Sequence, residues 1–140
     1  MPKALLTLMI LSWLLNLALG EEASKSYFII DGRNVLFLSF PAEKLTVDEV
    51  CYKNKGNCKA ILKLASASTK GLEKEFKGGA NRGAVICKKK MFGKLIFAAD
   101  SRGNQTTFCH FPDGSLIGNG TILFHALKND KQSGKSDLKF

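Results

Sequence analysis

Runs of apolar residues, broken by short polar turns, divide the chain from Tyr27 onward. Tyr27-Phe28-Ile29-Ile30 and Asn34 to Phe40 flank Asp31-Gly32-Arg33. Aromatic and β-branched residues on both sides of Asp-Gly predict a β-hairpin, which Pro41 stops. Glu21 to Ser26 is a polar, frayed lead-in. Thr46-Val47-Asp48-Glu49 fits a capping box, with Thr46 as cap and Glu49 reaching back to its amide. A short helix to about Lys53 follows, with Val47, Val50 and Cys51 on one side, and Asn54-Lys55-Gly56-Asn57 ends it. Lys59 to Ala65 reads as a strand. Ser66 to Gly79, rich in Ser, Lys and Gly, reads as a linker with a helical turn through Leu72 and Phe76.

The pattern resumes at Asn81, a helix cap. Ala84, Cys87 and Met91 form a buried stripe at i, i+3 and i+7. Lys88-Lys89-Lys90 suit the negative end of that helix, and Gly93 stops it. Lys94 to Ala99 is a strand, Asp100 to Asn104 turns the chain, and Gln105 to Phe111 returns antiparallel. Pro112-Asp113-Gly114 is a turn and Ser115 to Ile117 a short strand. Gly118-Asn119-Gly120 is another turn, Thr121 to Leu127 a last strand, and residues from Lys128 a disordered tail. Val50-Cys51-Tyr52-Lys53 and Ile86-Cys87-Lys88-Lys89 match each other in order of elements, which fits either a decayed repeat or coincidence.

The first twenty residues stand apart. Lys3 is a positive start, Ala4 to Leu15 is apolar, and Ala18-Leu19-Gly20 is a small-x-small cleavage site. This is the pattern of a secretory signal peptide, too short for a membrane span and with no lipid-anchor cysteine. Its removal takes the chain from 140 to 120 residues and leaves 20 basic against 12 acidic ones. The expected location is therefore periplasmic or secreted. The positive balance favours anionic envelope components, or an unknown protein, as partner. Three arginines and no aromatic-interleaved basic stripe argue against nucleic acid. Four cysteines, Cys51, Cys58, Cys87 and Cys109, read as two disulfides in an exported chain. Three pairings exist; Cys51–Cys58 with Cys87–Cys109 is favoured because each closes a local loop.

Asn81 to about Thr121 resembles a family of small exported bacterial domains that carries a "hemolysin" label. The resemblance rests on the Asn81 to Lys90 helix with Cys87, on Gly93 and the strand after it, and on the Asp100 to Asn104 turn. It ends on Cys109-His110-Phe111-Pro112-Asp113-Gly114-Ser115. The chain departs in having Asn81-Arg82 where members have Asn-Pro. Leu116-Ile117-Gly118-Asn119 also stands where they have further cysteines and a Trp-bearing aromatic segment. The resemblance implies an exported small domain and a Cys87–Cys109 bridge, and no mechanism.

Cys87, Cys109, His110 and His125 match no zinc spacing, so no metal or cofactor is expected. His110, Asp113 and Ser115 are hydrolase residue types crowded into one turn, without a Gly-x-Ser-x-Gly elbow. The structural reading of Phe111, Pro112, Asp113, Gly114 and Ser115 is a rigid signature turn, with both histidines partly exposed on strands. Cys51 and Cys58 lack redox-pair spacing. Lys88, Lys89, Lys90 and Lys94 form one basic patch, and Lys53, Lys55, Lys59 and Lys63 another. Val35 to Leu38 is too short to act on a membrane, so stable insertion is not expected. Asn104-Gln105-Thr106 and Asn119-Gly120-Thr121 are incidental glycosylation sequons.

The expected fold is α+β: a small antiparallel sheet with two short helices, stapled by disulfides. It comprises a 21–70 hairpin, helix and strand module, an 80–127 domain like the hemolysin-labelled family, and a 128–140 tail. The expected function is a non-enzymatic exported interaction module, with a membrane-active hemolysin and an inhibitor of an exported hydrolase as alternatives.

Overall fold

A computed structural model describes residues 22–54 and 56–136, so the leader segment lies outside the described residues. Strands β1 (Ser24–Ile30) and β2 (Arg33–Phe40) form the hairpin. Asp31 and Gly32 both take positive φ, 49° and 73°, as a two-residue turn of matching twist requires. After the Pro41–Lys44 turn comes β3 (Leu45–Asp48), then helix α1 (Glu49–Lys53). Thr46 is a strand residue here, and Asp48 is the cap: its Oδ2 accepts from the Cys51 amide at 3.3 Å.

Lys59 to Ala65 is helical rather than extended. Helix α2 (Lys59–Lys63) runs into a 3₁₀ turn at Leu64–Ser66. Ala60, Leu64 and Ala67 are buried at i, i+4 and i+7, the helical period. Ala, Leu and Lys also outvote the single β-branched Ile61. Helix α3 (Arg82–Lys89) is capped by Asn81, whose Oδ1 accepts from the Ala84 amide at 3.0 Å. Strands β4 (Lys94–Ala99) and β5 (Gln105–His110) pair antiparallel, and β6 (Leu116–Gly118) follows. The expected last strand is also helical. Helix α4 (Asn119–Ser136) absorbs Thr121 to Leu127 and most of the expected tail. Ile122 and Ala126 are buried one turn apart, and Asn129, a turn further on, donates to the carbonyls of Leu64 and Ala67, each at 2.9 Å.

The sheet is not the small open one expected. The six strands close into an antiparallel barrel in the order β1-β2-β3-β6-β5-β4. Two three-stranded meanders join edge to edge, through Ile29 opposite Ala99 and Val47 opposite Ile117. Closure removes edges that either meander alone would leave unpaired. The Cys-centred repeat does not describe this arrangement, because helix α2 follows Cys58 where the repeat requires a strand.

The barrel is filled by three aromatic rings. Phe37 stacks on Phe108 at 4.0 Å between centroids, and Phe28 meets both edge-on at 5.4 and 5.0 Å. The helices cover the outside of β3, β6 and β5 over a second core that includes Val47, Ile86, Met91, Phe111, Ile117 and Ile122. Two disulfides staple this outer layer. Cys51 is bonded to Cys58, with Cα atoms 5.1 Å apart, and Cys87 on α3 to Cys109 on β5, at 5.8 Å. Such bonds fit an oxidising compartment. Gly93 is more than a helix stop: a Cβ there would run into the sulfurs of Cys109 and Cys87.

Candidate functional site

The signature turn faces inward chemically, although Pro112, Asp113 and Gly114 are exposed. Phe111 is buried in the outer core, and Ser115 is 5% exposed. Asp113 Oδ2 accepts from the Lys59 amide at 2.8 Å, and Ser115 Oγ accepts from the Ala60 amide at 3.0 Å. These are the first two amides of α2, whose own cap residue, Cys58, supplies no side-chain bond. A turn some fifty-five residues downstream therefore caps this helix, satisfying donors that its own backbone cannot. The Ser115 amide donates to Asp113 Oδ1 at 3.0 Å, the geometry of a local Asx turn, and the Ser115 hydroxyl donates to the same oxygen at 2.6 Å. His110 lies on β5 opposite Lys94 and Leu116.

Desolvation pushes the Asp113 carboxyl up. The Ser115 hydroxyl and the amides of Lys59 and Ser115 outweigh it and hold the group below its ordinary value. Asp48 behaves oppositely. Burial raises its pKa, although the amides of Leu116 and Cys51 pull it down. The signs differ accordingly. The Asp113 contribution is present above the unfolded value of about 3.9 and is lost as pH falls through its lower folded value. Ionised Asp48 costs stability at neutral pH, a cost relieved as pH falls through its raised value. Asp113→Ala is expected to lower thermal stability near neutral pH by about 1 kcal/mol, the worth of a helix cap. The gap from the parent should narrow once the parent carboxyl is protonated, below about pH 3.9. Melts across that range check it, and an unchanged gap would count against the carboxylate as the cap.

A second feature comes from the lysines. Lys53 pairs with Glu49 at 2.9 Å, and Lys55 lies outside the described residues. The segments that carry the two patches touch at two points. Lys63 Nζ stands over the Phe92 ring, 6.0 Å from its centre, and Ser66 Oγ reaches the Lys90 carbonyl at 3.4 Å. Phe92 is 76% exposed and Leu62 56%. Lys88 and Lys89 are exposed just ahead of Phe92 and, among the described residues, carry no ion pair. The contact thus sets a cation over an exposed ring, with two further exposed lysines shortly before it in the chain.

A third feature lies at the other end of α3. A cavity of about 320 Å³ opens at one mouth of the barrel, floored by Phe28 and Phe108. Hydroxyls of Ser26, Ser39, Thr46, Thr106, Thr107 and Thr121 surround it with Asn81 and Asn119, and no charged side chain lines it. The sequence signal for it is faint but present. Ser26 precedes Phe28 by two, and Thr106 precedes Phe108 by two, so each hydroxyl faces inward at the end of a strand whose next inward residue is aromatic. Asn119, read earlier as part of a sequon, is 7% exposed. Its Nδ2 donates to the Thr107 carbonyl and hydroxyl at 3.0 and 2.7 Å, and its Oδ1 is buried with no partner. The other buried polar atom in that state among the described residues is Nε2 of His125, which sits on α4 rather than on a strand. Burial lowers the His125 pKa.

Cys87 and Cys109 are bonded to each other, and no three His, Cys, Asp or Glu side chains group to hold a metal ion among the described residues. No described helix is long and apolar enough to cross a membrane. No family model, curated protein or solved structure matches the chain.

Proposed function

We propose that the protein is a non-enzymatic exported interaction module whose basic, aromatic side docks on a phosphate-bearing surface of the cell envelope. One observation carries the reading: Lys63 stands over the exposed Phe92 ring, and the Lys88-Lys89-Lys90 run comes just before that ring in the chain. Each lysine near an anionic surface contributes about 1 kcal/mol, and exposed apolar tips add burial among headgroups. The inhibitor alternative loses its anchor, since Phe111 is buried and Asp113 and Ser115 are engaged with α2.

Vesicles of phosphatidylglycerol should sediment the protein at low salt, and vesicles of phosphatidylcholine should not. Lys88→Glu with Lys89→Glu should weaken that binding about tenfold or more. Added salt should weaken it too, because the Debye length shrinks to about 10 Å at 0.1 M. Equal binding to both vesicle types, or none, would sink the proposal. Release of trapped dye would replace docking with membrane damage, the activity that the hemolysin label suggests.

A further inference from the structure

We propose that the contact between α4 and the Pro41–Lys44 turn is an acid-operated latch, with the His125 ring as its trigger. It involves none of the lysines beside Phe92.

His125 sits in the first half of α4, just before the buried Ala126. Its ring hydrogen-bonds the backbone of Glu43, in the turn that joins β2 to β3. Nε2 is buried without a partner among the described residues, so Nδ1 makes that bond. The bond favours the charged ring, as one to a carbonyl oxygen does. In the neutral ring Nδ1 therefore carries the proton, and Nε2 is a bare acceptor. A second proton must go to Nε2. It would set a charged N–H where no acceptor lies, and a buried donor left unpaired costs more when it is charged. The tautomer that ties the helix to the turn is thus compatible with the neutral ring only.

The surrounding charges give no relief. Lys128, one turn further along α4, repels the second proton. Glu43 and Lys44, the charged residues of the turn, are exposed, and Glu43 acts on the ring through its backbone. Strand β6 and the Leu64–Ser66 turn, which also pack against α4, carry no charged residue. Arg82, Lys88 and Lys89 of α3 and His110 of β5 do not act on the ring. Burial outweighs the Glu43 bond and, with Lys128, holds the ring below its ordinary 6.5. The contact is therefore at full strength well above pH 6.5 and weakens as pH falls below it, until the folded ring is itself protonated. Each pH unit between the unfolded and folded values multiplies the open population by about ten. The turn and the start of α4 flank a hollow of about 280 Å³, with Pro41, Lys44 and Leu45 on one side and Gly120, Thr121 and Phe124 on the other. Release of the turn widens this hollow and uncovers Leu45, which packs against the outer core.

The experiment is an NMR titration of the intact protein, read at two places. The His125 ring should titrate below 6.5. Hydrogen exchange at the Thr46 amide, which Thr121 Oγ1 holds across the junction of β3 and α4 at 2.8 Å, reports opening. Corrected for its intrinsic pH dependence, that exchange should rise with the same midpoint, by about tenfold for each unit that the midpoint lies below 6.5. His125→Gln keeps a donor for the Glu43 carbonyl and cannot take up the second proton, so its Thr46 amide should lose the acid response. A His125 midpoint at 6.5 or above, or the same acid response of Thr46 in the parent and in His125→Gln, overturns the latch.

Discussion

Alanine at Gly83 should lower the melting temperature by about 8 °C or more, although alanine is the better helix former. Gly83 sits in the first turn of α3 against the start of α4, and a Cβ there would collide with the backbone carbonyl of Asn119. The propensity gain is about 1 kcal/mol. Overpacking against a neighbour that cannot rotate away costs about 3 kcal/mol or more. The collision should win by about 2 kcal/mol, which in a domain of this size is a shift of about 8 °C. Gly120→Ala is the control, since nothing lies near its added carbon. Thermal melts of the two variants decide the matter. A gain in stability from Gly83→Ala would mean that α3 and α4 are not in contact there.

Removing the Cys87–Cys109 bridge should cost more than removing Cys51–Cys58. The first closes a separation of 22 residues and the second one of 7. Chain entropy gives about 3.4 and about 2.5 kcal/mol respectively. Cys87 and Cys109 are also fully buried, beside a glycine kept clear for their sulfurs, so an alanine pair leaves a void that the outer core cannot easily fill. Against a total stability of about 5–15 kcal/mol either loss is large. Urea midpoints of the two double-alanine variants provide the comparison, and the reverse order would show that α1 and not α3 governs the cohesion of the outer layer.

Local signals were readable and distant ones were not. Asp31-Gly32 names its own turn, and Asn81 with Ala84, Cys87 and Met91 defines α3, because each rests on residues within a few positions. Helices α2 and α4 were misread as strands for a physical reason. Ile61, and Thr121 with Ile122, suggest extension, whereas the spacings Ala60–Leu64 and Ile122–Ala126 mark a helix buried along one side. At α2 the buried spacing and the preferences of Ala, Leu and Lys agree on a helix, and at α4 tertiary packing overrode Thr121 and Ile122. Barrel closure had no local signature, since Ile29 meets Ala99 and Val47 meets Ile117 only across the whole chain. At the candidate sites the four cysteines and the Pro-Asp-Gly turn stood out as motifs. That Asp113 and Ser115 serve a helix in the other half could not be seen without coordinates. The mouth hydroxyls were hidden because serine and threonine at strand ends look like ordinary solvent-facing residues.

The two seams of the barrel join positions 29 to 99 and 47 to 117, each 99 − 29 = 117 − 47 = 70 residues apart. A ribosome adding about 5–20 residues per second delivers the second partner about 4 to 14 s after the first. Throughout that delay β1 and β3 have open flanks, and α2 lacks the turn that holds its leading amides. The newborn chain is thus kept pliable until position 117 of its 140 residues has been made, so the barrel sets late in synthesis.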